Sequence, residues 1–173
     1  MALATPLPRR ELEDLYLALE KPVYNVVYRW LWHREEAMEV VQEAFLKLWQ
    51  KSHSQTIDDP RAYLYRTAIN LAKNRQRTLR VRNLFATREW MMRQGTTDDG
   101  RSADDDLEQR LDNMRVHIEK LPSKLREVVT LSELTDMSYA DVAKILKIKA
   151  GTVASRRHRA LARLRKSLED DHA

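Results

Sequence analysis

Residues 137–159 read MSYADVAKILKIKAGTVASRRHR, and this stretch predicts two short helices joined by a tight turn. Ser138 can cap the first helix, whose apolar side chains recur at helical spacing. Thr152 can cap the second helix, which continues into the basic run at 156–159. Arginine forks on such a helix pair with guanine edges in the DNA major groove and with phosphates. The pattern therefore predicts a helix-turn-helix that binds duplex DNA; the simpler alternative is an amphipathic hairpin with a solvated basic face.

The composition predicts an all-α fold. The chain has 173 residues with only three glycines and five prolines, and no segment alternates apolar and polar residues as a strand would. The absence of cysteine excludes disulfides, thiol redox chemistry and zinc sites built on cysteine. No apolar run approaches the ~18 residues of a membrane span, and the amino terminus has no signal-peptide pattern. We therefore expect no membrane insertion and a cytoplasmic location.

Charge is sorted into blocks along the chain, although the total is only +5. Residues 11–59 carry ten acids against five bases, whereas residues 61–93 carry nine bases against one acid. Residues 94–113 then carry seven acids against two bases, and residues 144–168 carry nine bases and no acid. One uniform solvated surface would not sort its charges in this way. The order indicates two basic surfaces separated by an acidic spacer, a distribution that fits nucleic-acid binding.

Apolar periodicity predicts two small helical domains joined by a flexible acidic linker. Helices are expected at 11–31, 35–50, 60–82, 107–121 and 124–134, ahead of the helix-turn-helix. Asp58 or Asp59 can cap the third of these, with Pro60 in its first turn. The polar residues 51–57 predict a loop, and residues 95–106 have no apolar periodicity. The predicted division is a tail at 1–10, one domain at 11–93, a linker at 94–106 and a second domain at 107–173.

Three further segments have a characteristic order: EVVQEAFLKLW at 39–49, PRAYLYRTAINLAKN at 60–74 and LPSKLREVVTL at 121–131. Together with the helix-turn-helix, they resemble the bacterial sigma factors of the extracytoplasmic-function (ECF) group. The first two segments resemble region 2 of that family, and the last two resemble region 4. The resemblance implies a protein that binds core RNA polymerase and directs promoter-specific initiation at −10 and −35 elements. It also implies contacts with the β′ clamp helices and the β flap, and control by an anti-sigma factor.

The resemblance assigns roles to individual residues of the first domain. The expected clamp-helix contacts are Glu39, Gln42 and Glu43, which share one helix face. The expected −10 reader comprises the polar loop and the helix after it, whose side chains would hold unstacked bases and phosphates. Its candidates are Ser52, His53, Ser54, Gln55, Asn70, Lys73, Asn74 and Arg77. Tyr63 and Tyr65 could stack on bases, but at least one is expected in the core, as are Trp30, Trp32 and Trp49.

In the second domain the resemblance implies contacts with the −35 element. Base edges and nearby phosphates are expected for Ser155, Arg156 and Arg159, and phosphates for Thr152, Arg157 and Arg163. Two positions depart from the family pattern. Lys147 occupies a turn position that is often glycine, so we expect mild strain there. Arg157 replaces a usually apolar residue, so the second helix is expected to pack less deeply.

The acidic linker resembles a family element that threads toward the polymerase active-site and RNA-exit path. Its aspartates could mimic nucleic-acid charge in a basic channel, or could simply keep the spacer soluble. They are Asp98, Asp99, Asp104, Asp105 and Asp106.

No sequence feature indicates an active site, a cofactor or a metal. The five histidines have no ligand spacing, and adjacent aspartates in a linker are not preorganised around one ion. We therefore expect no catalysis by this chain. Two alternatives to the sigma factor remain: a two-domain regulator that binds an operator directly, and a helical adaptor that binds only protein. The segments at 39–49 and 60–74 favour the sigma factor, because a direct regulator has no need of them.

Overall fold

Seven helices follow one another along the part of the chain that the structure describes. The computed structural model describes residues 7–90 and 114–170, and the side chains of all of these except 80–90. The helices are α1 (Arg9–Leu31), α2 (Arg34–Ser54), α3 (Pro60–Trp90), α4 (114–120), α5 (Ser123–Leu134), α6 (Tyr139–Leu146) and α7 (Ala150–Asp170). No strand occurs in these residues, and the predicted all-α class is confirmed. The predicted linker at 94–106 and its aspartates lie outside the described residues.

The helices α1, α2 and α3 pack together around one apolar core and form the N-terminal bundle. Each contributes a buried stripe at the three- and four-residue spacing that the sequence predicts. The most deeply buried members include Val23, Val26, Val27, Trp30, Val40, Val41, Leu48, Leu64, Tyr65 and Ile69. Both Trp30 and Tyr65 are core residues, as expected.

The ends of these helices are set by local side chains. The carboxylate of Asp59 accepts a hydrogen bond from the backbone N–H of Ala62 at 2.8 Å, so Asp59 caps α3 immediately before Pro60. The Nδ1 atom of His33 accepts from the N–H of Glu36 at 3.4 Å and caps α2. Two ends differ from the prediction, because α2 continues to Ser54 and α3 continues to Trp90.

The helices α4 to α7 form the C-terminal bundle, in which α5 and α6 both pack against α7. Ser138 caps α6 as predicted, within a capping box that Asp141 completes. The buried face of α6 contains Val142 and Ile145, also as predicted. The prediction that Thr152 caps α7 is wrong. Because α7 begins at Ala150, Thr152 lies in its first turn, and its N–H donates to the carbonyl of Lys149 at 2.9 Å.

The capping box should make the stability of the protein depend on pH. The hydroxyl and the backbone N–H of Ser138 both donate hydrogen bonds to the carboxylate of Asp141. These two bonds, the hydroxyl bond most of all, lower the pKa of Asp141 below its ordinary value. A depressed folded-state pKa stabilises the fold fully above the unfolded-state pKa, and the stabilisation is lost as pH falls through the folded-state pKa. We expect Asp141→Asn to lower the free energy of unfolding by about 0.5–1 kcal/mol at neutral pH, and by less in acid. Urea unfolding of both proteins near pH 7 and near pH 3 measures the difference; a difference that does not change with pH would contradict this role.

The turn between α6 and α7 contains a left-handed lysine. Lys147 has φ 54° and ψ 47°, and its N–H bonds to the carbonyls of Ala143 and Lys144. The turn therefore keeps the geometry that glycine usually provides, and a Cβ there is strained. We expect Lys147→Gly to relieve this strain and to raise the free energy of unfolding by up to ~1 kcal/mol. This is a net figure, because glycine also adds entropy to the unfolded chain, which lowers stability. Lys147→Ala is the control in urea unfolding, because it keeps the Cβ; an equal gain from alanine would show that the lysine side chain causes the strain.

The two bundles pack against each other through α5, which buries two stripes. Leu125 and Val129 lie in a small cluster with Ala160 of α7. Val128 and Leu131 belong instead to the cluster that contains the core of the N-terminal bundle. In addition, α5 contacts α1, and α6 contacts α3. The apolar pattern of the sequence predicts both bundles but not this shared core.

Candidate functional surfaces

The acidic face of α2 places Glu39, Gln42 and Glu43 together, as predicted. Glu39 and Gln42 are exposed and Glu43 is half-buried. The carboxylate of Glu39 lies 3.2 Å from Arg75 of α3, and that of Glu43 lies 3.3 Å from Lys47, one turn along α2. Ion pairs of this exposed kind contribute ~0–1 kcal/mol. A basic partner could therefore replace them at little cost.

An apolar groove between α1 and α2 lies beside this acidic face. Its lining includes Tyr16, Leu17, Phe45, Leu46 and Trp49. Leu17 is 80% exposed and Trp49 is 45% exposed, so the expectation that Trp49 lies in the core is wrong. Apolar side chains exposed together in this way are typical of a surface that another molecule covers.

The end of α2 differs from the predicted loop, because residues 51–54 are helical. The hydroxyl of Ser52 donates to the carbonyl of Trp49 at 2.7 Å, and that of Ser54 donates to the carbonyl of Lys51 at 3.0 Å. The ring of His53 packs against Trp49 in a tilted arrangement, with 4.6 Å between centroids and 60° between the ring planes. Short polar side chains can bond back to carbonyls of the preceding turn, so their polar groups are satisfied although the backbone is helical here. Ser52 is only 1% exposed, so of the four predicted residues only His53, Ser54 and Gln55 present their side chains at the surface.

One stripe of α3 carries the other predicted −10 contacts. Positions 66, 70, 73 and 77 recur at four- and three-residue steps and share a face, with Asn74 beside them. Asn70, Asn74 and Arg77 are exposed. Lys73 is half-buried, and its ammonium lies 2.5 Å from the carboxylate of Glu127 in α5. The predicted residues are therefore brought together, but one of them is engaged by the C-terminal bundle.

The predicted −35 contacts lie on α7, of which only Val153 and Ala160 are buried. Ser155, Arg159 and Arg163 are exposed, while Thr152 and Arg156 are half-buried. Among the residues that the structure describes, no ion pair engages Arg156, Arg159 or Arg163. This stripe thus presents its positive charges to solvent.

Arg157 stands apart from that stripe. Its Nε lies 2.6 Å from the carboxylate of Glu133 in α5, and this hydrogen bond and charge raise the pKa of Arg157 above its ordinary value. Arg157 is half-buried and held at the side of α7, and the prediction that this helix packs less deeply than in relatives stays a prediction. In this conformation its guanidinium binds Glu133, unlike those of Arg156, Arg159 and Arg163.

Two arginines that no sequence motif marks as functional join the bundles. Arg66 of α3 donates to two backbone carbonyls of α6, and Arg126 of α5 donates to two backbone carbonyls of α1. The sequence indicates these contacts between the bundles only weakly. Arg126 lies between the apolar stripes of α5, and a helix with apolar residues on more than one side is expected to be buried on more than one side.

Comparison with known proteins identifies the class. Residues 15–82 match the family model of Sigma-70 region 2, and residues 111–164 match that of Sigma-70 region 4. The chain is 31% identical over 168 residues to the ECF RNA polymerase sigma factor SigW of Bacillus subtilis, covering 92% of this chain and 88% of SigW. It is 31% identical over 173 residues to the RNA polymerase sigma-H factor of Pseudomonas aeruginosa, covering 93% of this chain and 88% of that protein.

Two solved structures have the same fold. One is CnrH in complex with the cytosolic domain of CnrY, with a TM-score of 0.68 and 22% identity over 94% of this chain and 90% of CnrH. The other is the sigma factor RpoE of Bartonella quintana in complex with the anti-sigma factor NepR. Its TM-score is 0.62, with 20% identity over 92% of this chain and 98% of RpoE.

The fold, the helix-turn-helix and the two matched regions together define a sigma factor of RNA polymerase. The chain belongs to the extracytoplasmic-function sigma factors. Membership of this family favours the sigma factor over a direct operator-binding regulator and over a protein-only adaptor. Within the described residues, no helix has the length and apolar character needed to cross a membrane.

Proposed function

We propose that this sigma factor recognises the −35 element through α7 and the −10 element through α3 and the end of α2. The observation that carries the proposal is the α7 stripe, where Arg156, Arg159 and Arg163 are not ion-paired to any described residue. Base edges in the major groove suit Ser155, Arg156 and Arg159, and phosphates suit Thr152 and Arg163. Arg157 is left out of this set because Glu133 already binds it.

For the −10 element, the proposed contacts are polar side chains along α3 and at the end of α2. They are His53, Ser54, Gln55, Asn70, Lys73, Asn74 and Arg77. Amide and cationic side chains can hold base edges and phosphates of a strand that has left the duplex. Tyr63 is half-buried beneath the ammonium of Lys51, so it supports this surface, whereas the buried Tyr65 belongs to the core.

Core polymerase is the proposed partner of the acidic face of α2. Glu39, Gln42 and Glu43 would bind a basic helical surface, namely the β′ clamp helices, and the C-terminal bundle would bind the β flap. Complementary charge gives such an interface its specificity and its association rate. The sigma factor itself would catalyse no reaction, since the polymerase carries out the chemistry of transcription.

An anti-sigma factor is the proposed regulator. The likeness to RpoE, which is solved in complex with the anti-sigma factor NepR, supports this part of the proposal. The exposed apolar groove beside the acidic face of α2 also supports an anti-sigma factor, because exposed apolar patches of this kind are typical of surfaces that bind another protein. The regulator would compete with polymerase if it covered the acidic face.

Transcription with purified components tests the recognition of promoter elements. Core polymerase, with and without this protein, is given a library of genomic fragments, and the 5′ ends of the transcripts are sequenced. We expect new start sites only when the protein is present, preceded by two shared motifs about one and three helical turns of DNA upstream. Start sites with no shared upstream motif, or an absence of initiation while the protein alone binds duplex DNA tightly, would contradict the proposal.

A further inference from the structure

A pocket lies between α1, α3 and the residues at the end of α5, and is called the junction pocket below. Its volume is about 440 Å³. Pockets that bind small molecules typically measure roughly 300–1,000 Å³, and they occur preferentially where domains meet. The side chains that matter for its chemistry are Leu19, Lys21, Arg61, Tyr65, Leu134 and Asp136. None of them belongs to the proposed promoter contacts or to the acidic face of α2.

The wall of the junction pocket contains a buried hydroxyl group without a partner. Tyr65 is 0% exposed, and its Oη forms no hydrogen bond with any residue that the structure describes. Burial raises the pKa of Tyr65, and the neighbouring guanidinium of Arg61 acts in the opposite direction. The hydroxyl is therefore protonated at neutral pH and is available as a donor. A buried donor left unpaired is unfavourable, so an acceptor that reached Tyr65 would gain a stabilising hydrogen bond.

Three charged side chains set the charge of the junction pocket. Lys21 of α1 and Arg61 of α3 are both exposed, and neither forms an ion pair with a described residue. Asp136 is also exposed, so two cations and one carboxylate leave one net positive charge in the lining. A carboxylate ligand has one negative charge and matches this balance. A phosphate monoester has nearly two at neutral pH and would be repelled more strongly by Asp136.

We propose that the junction pocket binds a small organic monoanion, namely a carboxylate with an apolar body. The carboxylate accepts a hydrogen bond from Tyr65 and pairs with Arg61, while Lys21 adds a second positive charge. Leu19 and Leu134 contact the apolar part of the ligand. Because the hydroxyl of Tyr65 is covered, the exposed side chain of Arg61 shifts to admit the ligand. The inference goes beyond the proposed function and does not depend on promoter recognition.

Fluorine NMR of the full-length protein, without DNA or polymerase, tests the site with three probes that share one ring. The probes are para-fluorobenzoate, para-fluorophenyl phosphate and the neutral para-fluorobenzamide. Tyr65→Phe removes only the hydroxyl, and Arg61→Gln removes the cation. Tyr63→Phe is the matched control, because Tyr63 lies on the same helix beneath the ammonium of Lys51 and does not line the pocket. Urea unfolding checks each fold, and Tyr65→Phe should not lower stability, since it breaks no hydrogen bond.

We expect saturable binding of para-fluorobenzoate, with affinities for the amide and the phosphate at least about tenfold weaker. Tyr65→Phe and Arg61→Gln should each weaken benzoate binding by about tenfold, the usual effect of losing one hydrogen bond to a charged group, and Tyr63→Phe should not change it. Equal affinity for the carboxylate and the amide would overturn the recognition of charge. Tighter binding of the phosphate would overturn the preference for a monoanion. An absence of saturable benzoate binding, or binding that Tyr65→Phe leaves unchanged, would overturn the site itself.

Discussion

Replacing Arg156 and Arg159 by glutamate should abolish specific binding to the −35 element. Both side chains lie on the solvent-facing side of α7, and neither forms an ion pair with a described residue. Each good arginine–guanine contact is worth ~1–3 kcal/mol, and glutamate adds repulsion from the phosphates. We therefore expect the affinity of polymerase holoenzyme for a −35 duplex to fall by at least about 100-fold. Fluorescence anisotropy at fixed salt measures the loss.

A second pair on the same helix controls for net charge. Arg165 and Lys166 are exposed near the carboxyl end of α7, and their replacement by glutamate changes the charge by the same amount. If Arg156 and Arg159 contact the −35 bases as proposed, the control pair should weaken binding to the −35 duplex much less than the first pair. It should also leave the preference for particular bases unchanged. Arg157→Ala offers a further comparison, since Glu133 holds that side chain within the protein. Equal losses from both glutamate pairs would show that only general electrostatic attraction is involved.

Reversing charge on the acidic face of α2 should have the next largest effect. Glu39→Lys combined with Glu43→Lys converts two carboxylates of the proposed clamp-helix contact into cations. Like charges placed across an interface cost several kcal/mol, so affinity for core polymerase should fall by roughly 100-fold or more. Size-exclusion binding or labelled-protein titration against core polymerase measures the change, and binding of the isolated protein to duplex DNA should not fall, because the two changes add positive charge.

The control must separate binding from stability, because Glu39 also pairs with Arg75. A lysine at position 39 would face that arginine and is expected to lower the free energy of unfolding by up to ~1 kcal/mol. Glu11→Lys with Asp14→Lys makes the same charge change on exposed positions of α1, outside the three residues of the proposed contact. Retained polymerase affinity in the α2 variant, with its fold intact by urea unfolding, would remove this face from the interface.

Local features of the structure follow from the sequence. The capping residues Asp59 and Ser138 each bond to a backbone N–H three residues ahead, so the atoms involved lie within one turn of chain. The apolar stripes of α1, α2 and α3 appear as three- and four-residue periodicity for the same reason. Lys147 is informative too, since the turn forces it into the left-handed region although glycine would fit better.

The predictions that are wrong concern residues whose composition or periodicity fits more than one structure. Residues 51–54 are polar, which favours a loop, but they are helical, and their hydroxyl and imidazole groups bond to carbonyls of the preceding turn. Trp49 fits the apolar periodicity of α2, yet the helix has more apolar positions than the core covers. Phe45 and Leu48 face the core, whereas Leu46 and Trp49 remain exposed. Periodicity alone does not say how wide a stripe the neighbouring helices will cover.

The sequence by itself determined the helices, most of their caps, the helix-turn-helix and the family, because these depend on residues within a few positions of one another. Only the tertiary structure decided how the two bundles meet. Arg66 reaches a carbonyl 79 residues away, and Arg126 reaches one 97 residues away. The acceptors are backbone carbonyls, which every residue has, so no complementary side chain marks either contact in the sequence. Their position depends on which helices end beside one another, and only the folded chain sets that.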